Sequence, residues 1–272
     1  VQLYFSTLPE DRKWSFYFAL EYDRPWETQT VDNRGGKSDE TSNFGLERLH
    51  GTYKLPMNMR LHAGFDIWGL DIVDGGGLVY GDDNPGFWLT GDYDAFSFNV
   101  GYFKLSENNF QTSPAALVDE KDADRDLYAG YVTFKPGEGQ KVQPFYAFDR
   151  IRDVPVGSLL EFLTGNPGET PETDSHHVGA YYTGKFGPLQ LFAEGVYQYG
   201  SAEGTGLAQE DYDISAYAAS ADVAFDLEEM FGFGVKPHIG AIYTSGDDDP
   251  DDDELNGYNG VVNAQRFSRY FG

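Results

Sequence analysis

Five histidines and no cysteine leave this 272-residue chain a narrow chemical repertoire. The densest constellation is Arg48, His50, Arg60, His62 and Asp66. Their positions share one parity, so a hairpin over residues 44–70 would put all five on one face. A turn centred on Pro56 sets His50 opposite His62 and Thr52 opposite Arg60, with Arg48 near Gly64. Two imidazoles, a carboxylate and two guanidinium groups can hold an anion or a transition metal. The same set equally suits the plain polarity of a water-lined wall. Glu21, Glu194 and Lys236 are expected on that wall too, together with Asp23, Asp149, Lys185 and Asp222. His176 and His177 are adjacent, so in a strand they point to opposite faces and share no site.

Asp247, Asp248, Asp249, Asp251, Asp252 and Asp253 crowd the stretch SGDDDPDDDEL at 245–255. Carboxylates this close repel one another unless cations screen them, so Ca²⁺, or bridging to lipopolysaccharide through divalent ions, is one expectation there. The stretch lacks the ligand spacing and central glycine of an EF-hand loop, and a solvated loop explains it without any metal. No other cofactor is implied. Acyl transfer needs a serine with a histidine base and an orienting partner. Ser97, Ser215 and Ser220 are present, but the sequence places no histidine beside them, and no enzyme activity is expected.

What must position these groups is a series of strands. In WSFYFALEYDRPW, residues 14–26, Trp14, Phe16, Phe18, Leu20 and Tyr22 alternate with Ser15, Tyr17, Ala19, Glu21 and Asp23. That period of two recurs along the chain. It predicts further strands at 44–55, 58–70, 86–93, 96–105, 126–135, 141–150, 176–186, 189–200, 214–227 and 231–245, and a twelfth at 261–271. Segments of about ten residues suit a tilted strand crossing a bilayer better than a globular strand of about five or six.

Short connections at Pro56–Met57, Asp94–Ala95, Pro136–Gln140, Gly187–Pro188 and Glu228–Met230 alternate with long ones at 24–43, 71–85, 106–125, 151–175, 201–213 and 246–260. Transmembrane barrels sort connections this way, with tight turns on one rim and longer loops on the other. The long connections also hold most of the 45 acidic residues, which assigns the acidity to the outer rim. GGKSDETSN (35–43) and VYGDDNPG (79–86) read as loops of this kind. VPVGSLLEFL (154–163), apolar within the longest connection, is expected either to fold a helical turn into the mouth or to pack on the rim or a neighbouring protomer.

A two-residue turn at Asp94–Ala95 opposes Gly91 with Phe98, Leu89 with Val100 and Phe87 with Tyr102, an almost wholly apolar face. Asp92, Thr90 and Trp88 then meet Ser97, Asn99 and Gly101 on the other face. Around Phe186–Leu189 the outward set is Val178, Ala180 and Tyr182 with Leu191, Ala193 and Tyr197. Aromatic side chains would face lipid and polar ones a wet lumen.

The net charge of −26 argues against a nucleic-acid partner. No run approaches the roughly 18 apolar residues of a membrane-spanning helix, and no signal peptide is visible in residues 1–9. The predicted fold is an all-β transmembrane antiparallel β-barrel of about twelve strands, one domain over residues 1–272. A soluble sandwich with two packed apolar faces is the competing fold.

The hairpin FGLERLHGTYKLPMNMRLHAGFDIWGLD (44–71) resembles the alginate-export family of outer-membrane porins. So do NPGFWLTGDYDAFSFNVGYFKLSE (84–107) and AIYTSGDDDPDDDELNGYNGVVNAQRFSRYFG (241–272). The resemblance implies an eighteen-stranded barrel of which this chain is about the first two-thirds, truncated at Gly272. A self-contained twelve-stranded barrel is the alternative. The family's conduit is lined with arginines, including a cluster at the equivalent of 62–72. Here HAGFDIWGLDI stands instead, leaving Arg48 and Arg60 as candidates for solute contact and putting a polyanionic solute in question. The implied function is a bacterial outer-membrane channel passing a hydrophilic solute, a saccharide among the candidates, in contact with bilayer lipid and lipopolysaccharide. A plugged structural or adhesive barrel and a lipid hydrolase are the competing classes.

Overall fold

The computed structural model describes residues 2–7, 12–21, 45–70, 77–106, 124–152, 172–203, 211–232, 234–249 and 252–261. Twelve antiparallel strands follow one another in a meander, each bonded to its neighbours in sequence. They are β1 (Gln2–Thr7), β2 (Trp14–Glu21), β3 (Gly45–Lys54), β4 (Met59–Gly69), β5 (Gly81–Asp92) and β6 (Phe96–Ser106), then β7 (Arg125–Gly137), β8 (Gln140–Ile151), β9 (Thr173–Phe186), β10 (Leu189–Ala202), β11 (Tyr212–Phe225) and β12 (His238–Thr244). A two-residue β13 (Glu254–Leu255) adds to β11 in parallel. Among the described residues, β1 and β12 have no strand on their outer flanks.

Strands β9, β10 and β11 run for 14 residues each, longer than the roughly 9–11 that cross a bilayer, so their ends stand clear of the hydrocarbon. One face carries a broad field of exposed apolar side chains, among them Phe16, Leu49, Leu61, Phe87, Val100 and Tyr128. It continues over Tyr146, Val178, Tyr197 and Tyr217. A continuous apolar field across this many strands far exceeds the few hundred Å² that soluble monomers leave bare. Among the described residues no second layer covers it, so they do not form the sandwich alternative.

The sheet curls around its other face. The Leu78 N–H donates to Glu194 Oε1 on β10 at 2.8 Å, although Leu78 lies only three residues before the start of β5. Five strand spacings of about 4.8 Å would separate β5 from β10 in a flat sheet, farther than three residues of chain can span. The face bearing Glu194 is therefore concave. The fold is an all-β, up-and-down antiparallel sheet with an apolar convex face, the architecture of a transmembrane barrel wall.

Around Phe186–Leu189 the expected outward set shares one face, with Tyr197 opposite Val178, and the Asp94–Ala95 register matches the expected pairs, including Phe87 with Tyr102. The turn at Pro56 does not. Leu55 and Met59 close a loop of three residues, with Met57 and Asn58 at φ of 62° and 56°. His50 therefore opposes Gly64, and Thr52 opposes His62. A slip of two residues changes partners but keeps faces, so the cluster survives on one side. Gly64 is needed in this register: its φ is +137°, and a Cβ there would lie 2.2 Å from the Leu49 carbonyl oxygen.

Three other expectations are corrected. β1 was not anticipated, because a six-residue strand has little alternation to show. VYGDDNPG is not a loop: β5 begins at Gly81, with Asn84 paired to Asp66 and Pro85 to Phe65. Proline fits there because pairing with β6 starts only at Gly86, leaving that flank an edge. The connection at Glu228–Met230 is longer than a tight turn. A helical turn, α1 (Leu227–Phe231), sits between β11 and β12, the latter starting at His238. The expected twelfth strand at 261–271 beyond its first residue Val261, the apolar stretch 154–163, the loop 35–43 and Asp23 lie outside the described residues.

Candidate functional site on the concave face

Over β2–β5 the concave face is built from one parity within each strand, odd in β2 and even in β3–β5. Tyr17, His50, Thr52, His62, Asp66, Trp88 and Thr90 meet there because the ladders set Tyr17 beside His50, Thr52 beside His62, and His62 beside Trp88. Asp66 Oδ1 lies 3.6 Å from Arg48 Nε, and its Oδ2 lies 3.3 Å from His50 Nδ1. His50 stacks on Tyr17, with ring centroids 5.5 Å apart, and His62 lies flat on Trp88 at 5.0 Å. Both ring nitrogens of His62 are engaged, Nδ1 with Thr52 Oγ1 at 2.9 Å and Nε2 with Thr90 Oγ1 at 3.1 Å. That leaves His62 no lone pair for a metal and makes it a rigid part of the wall. Arg48, His50 and Asp66 remain open to the concave space, with side chains 34%, 16% and 19% exposed.

Over β7–β11 the same face is covered. Leu70, Leu78, Val79 and Tyr80 turn inward and are buried with Trp68, Phe103, Leu127, Phe145 and Tyr181. Residues 256–261 fold over them: Tyr258 donates to the Leu78 carbonyl at 2.7 Å, and Val261 is buried in the same cluster. The wall holds these segments through their backbones. Gln143 donates to the Leu70 carbonyl, and Arg125 to the Val261 carbonyl at 2.6 Å. Glu194 accepts from Leu78, and Gln198 Oε1 accepts from Asn259 N–H at 2.9 Å. Arg125 is fixed in turn by two hydrogen bonds to Asp149, at 2.9 and 2.6 Å. Gly77 lets the segment approach: a Cβ there would lie 2.3 Å from Tyr181 Oη and 2.9 Å from Glu194 Oε1. Burial, reinforced by the Glu194 charge, pushes the Tyr258 phenol well above its ordinary range, so it stays a neutral donor.

The anticipated wall residues thus divide. Arg48, His50, His62 and Asp66 come together. Arg60 lies on the same face but nearer the short connections, opposite Lys54. Glu194 lies on the covered half, where it binds backbone. Glu21 occupies the end of β2, opposite Gly45. Lys236 is exposed and precedes β12, so it is not part of a strand. In the acidic run, Asp252 caps the Glu254 N–H at 2.9 Å, and Asp253 accepts from Asp213 N–H at 2.8 Å. No group of three or more His, Asp or Glu side chains could hold a metal ion among the described residues; Asp251 lies outside them.

Two features were missed in the sequence. Residues 77–80 and 256–261 fill part of the concave space, which hydropathy patterning of isolated segments does not reveal. Ser175 Oγ lies 3.2 Å from His177 Nε2, so a serine does stand beside a histidine. Strand parity could have found that pair, since the two residues are two apart. Both are buried, and His177 Nδ1 has no hydrogen-bond partner, so no carboxylate orients the imidazole as a catalytic base requires. His176, as expected, points the other way, stacked between Phe148 and Tyr199 on the convex face.

No family model matches the chain, the alginate-export family included, and no curated protein sequence does. Among solved structures it is similar to Wzi, an outer-membrane protein involved in group 1 capsule assembly in Escherichia coli and a carbohydrate-binding β-barrel. The identity is 15% and the TM-score 0.43, over 83% of this chain and 50% of that one, so the chain spans half the length of Wzi. It is also similar to a loop-deletion mutant of OmpT, an outer-membrane protein of Vibrio cholerae, at 14% identity and TM-score 0.43, covering 86% of this chain and 72% of that one. A BenF-like porin from Pseudomonas fluorescens shares 9% identity at TM-score 0.39, covering 86% and 70%.

Proposed function

We propose that this chain forms the wall of a bacterial outer-membrane β-barrel that handles a hydrophilic solute along its concave face. The observation that carries the reading is the opposite chemistry of the two sheet faces. Convex Leu49, Leu61, Phe87 and Val100 are exposed, which suits hydrocarbon, while concave Arg48, His50 and Asp66 suit water. Backbone groups within hydrocarbon must be paired, which the long continuous ladders achieve. Passive passage is the function this arrangement supports best. A saccharide fits the open half, where hydroxyl groups can bond to Asp66 and Arg48 beside the Tyr17 ring; alginate itself is the narrowest form of that reading. No catalytic role is assigned, and the lipid contact extends to lipopolysaccharide at the acidic rim, with Ca²⁺ as the bridging ion.

Reconstitution into planar bilayers tests the reading. Stepwise ohmic conductance is the expected result, and reversal potentials under a salt gradient would report charge preference. Protein that stays monodisperse without detergent would refute it. A second reading, a binding barrel that does not conduct, is favoured by the inward segments 77–80 and 256–261, and it predicts saccharide binding with no conductance steps.

A further inference from the structure

At the short-connection end of the open half, the concave face presents three cations in one cross-strand row. Lys54 and Arg60 are direct partners in the β3–β4 ladder. The β2–β3 ladder, through Trp14 and Tyr53, sets Lys13 opposite Lys54, whose N–H donates to the Lys13 carbonyl at 2.6 Å. Thr90, paired with Arg60, is the next position in the row. All three cations are exposed, and none makes an ion pair with an acidic side chain among the described residues.

The other arginines in the concave wall are compensated, Arg48 by Asp66 and Arg125 by Asp149. Like charges directly opposite one another work against strand pairing, and a chain of net charge −26 has carboxylates to spare. A cationic row with no acidic partner among the described residues is thus a local conflict, and such conflicts collect where a fold serves a ligand. Cross-strand partners stand about 5 Å apart at the backbone, so two ammonium groups and a guanidinium can converge on one anion. Three cations carry more charge than one carboxylate neutralises, whereas a phosphate group brings up to two negative charges and three terminal oxygens. Arginine contributes a planar fork and the lysines mobile point charges.

We propose that Lys13, Lys54 and Arg60 form an anion subsite at the short-connection mouth, and that its ligand is a phosphate group. The proposal rests on the reading of the concave face as aqueous. The phosphate is carried either by a solute entering the mouth or by a lipid headgroup at the rim, and the chemistry of recognition is the same.

Isothermal titration calorimetry of the full chain in a zwitterionic detergent, with inorganic phosphate against chloride at matched ionic strength, tests it. Saturable phosphate binding is expected, weakened about tenfold or more by Lys54→Gln or Arg60→Gln, each removing a charge-assisted hydrogen bond. Without phosphate the same variants should raise the thermal midpoint, because the like-charge contact is relieved; this also shows that they fold. Glycerol phosphate and short-chain phosphatidylglycerol separate the sources: tighter binding of the first assigns a solute, tighter binding of the second a headgroup. Absence of saturable binding, or equal binding by a Lys13→Gln/Lys54→Gln/Arg60→Gln triple variant, overturns the subsite. None of these readouts involves ion passage. A chain that binds phosphate but never conducts rejects the channel and keeps the subsite, and a conducting chain without phosphate binding does the reverse.

Discussion

Arg48 with Asp66 and Arg125 with Asp149 are both guanidinium–carboxylate pairs on the concave face, set in its open and covered halves. The first is loose, 3.6 Å at its nearest, and both partners reach solvent. The second is doubly hydrogen-bonded, and the Asp149 side chain is 4% exposed. The covered pair also holds Val261. The difference lies in what covers each pair: none of the described segments over the first, two backbone segments over the other. The same side-chain chemistry thus organises the interior in one half and stays available to a solute in the other.

The comparison is broken most directly by removing the buried carboxylate. Asp149→Ala leaves Arg125 without its partner beneath residues 258–261, and breaking a buried pair in this way costs about 3–5 kcal/mol. Urea unfolding in detergent or vesicles should show that loss together with faster proteolysis of the 256–261 segment. An unchanged midpoint would mean that the cover does not depend on the pair. Gly77→Val comes next. Its side chain would collide with Tyr181 and Glu194, and such overpacking costs roughly 1–3 kcal/mol. The expected result is an inward segment displaced from the wall and, under the channel reading, larger single-channel steps. A tether gives the converse. The chain has no native cysteine, so Gln198→Cys with Asn259→Cys can be oxidised cleanly, and the locked form should conduct less than its reduced form.

A smaller effect belongs to the open half. Thr52→Val removes the hydroxyl facing His62 Nδ1, and loss of one such hydrogen bond costs about 1 kcal/mol. The Thr90 contact stays, so His62 should keep its stack on Trp88 and only the pitch of the ring should loosen. The measurement is the same unfolding midpoint, read beside the tryptophan emission of Trp88.

Faces were legible in the sequence because parity alone decides them. Trp14 and Phe16 outward with Tyr17 inward follows from the alternation, and so does the gathering of His50, His62 and Asp66. Partners were less legible. The Pro56 turn depends on two residues adopting positive φ, and methionine at the first of them gives no hint of it. The cover was not legible at all. Leu78, Val79 and Tyr80 adjoin Gly81, Asp82, Asp83 and Pro85, whose composition reads as a loop, and their burial is decided by Glu194 and Tyr181 far along the chain. Long-range capture of a backbone segment by single polar side chains leaves no periodic trace.

Asp66→Asn should move stability least and function most. The carboxylate faces Arg48 and His50 across gaps that water can enter, and pairs of this exposure contribute at most about 1 kcal/mol. The Ile67 N–H, which donates to Asp66 Oδ1 at 2.9 Å, would still find the amide oxygen. Unfolding should therefore stay within that margin. The charge on the open wall would change, because Arg48 would lose its counter-ion and Lys54 and Arg60 have none among the described residues. The reversal potential under a salt gradient should shift toward anions, and affinity for a neutral saccharide should fall as its strongest acceptor weakens. Asp149→Ala is expected to do the opposite, lowering stability sharply without presenting a new charge to solute until the cover is lost. If the two variants instead changed stability and selectivity in the same proportion, the division of the concave face into a structural half and an available half would not hold.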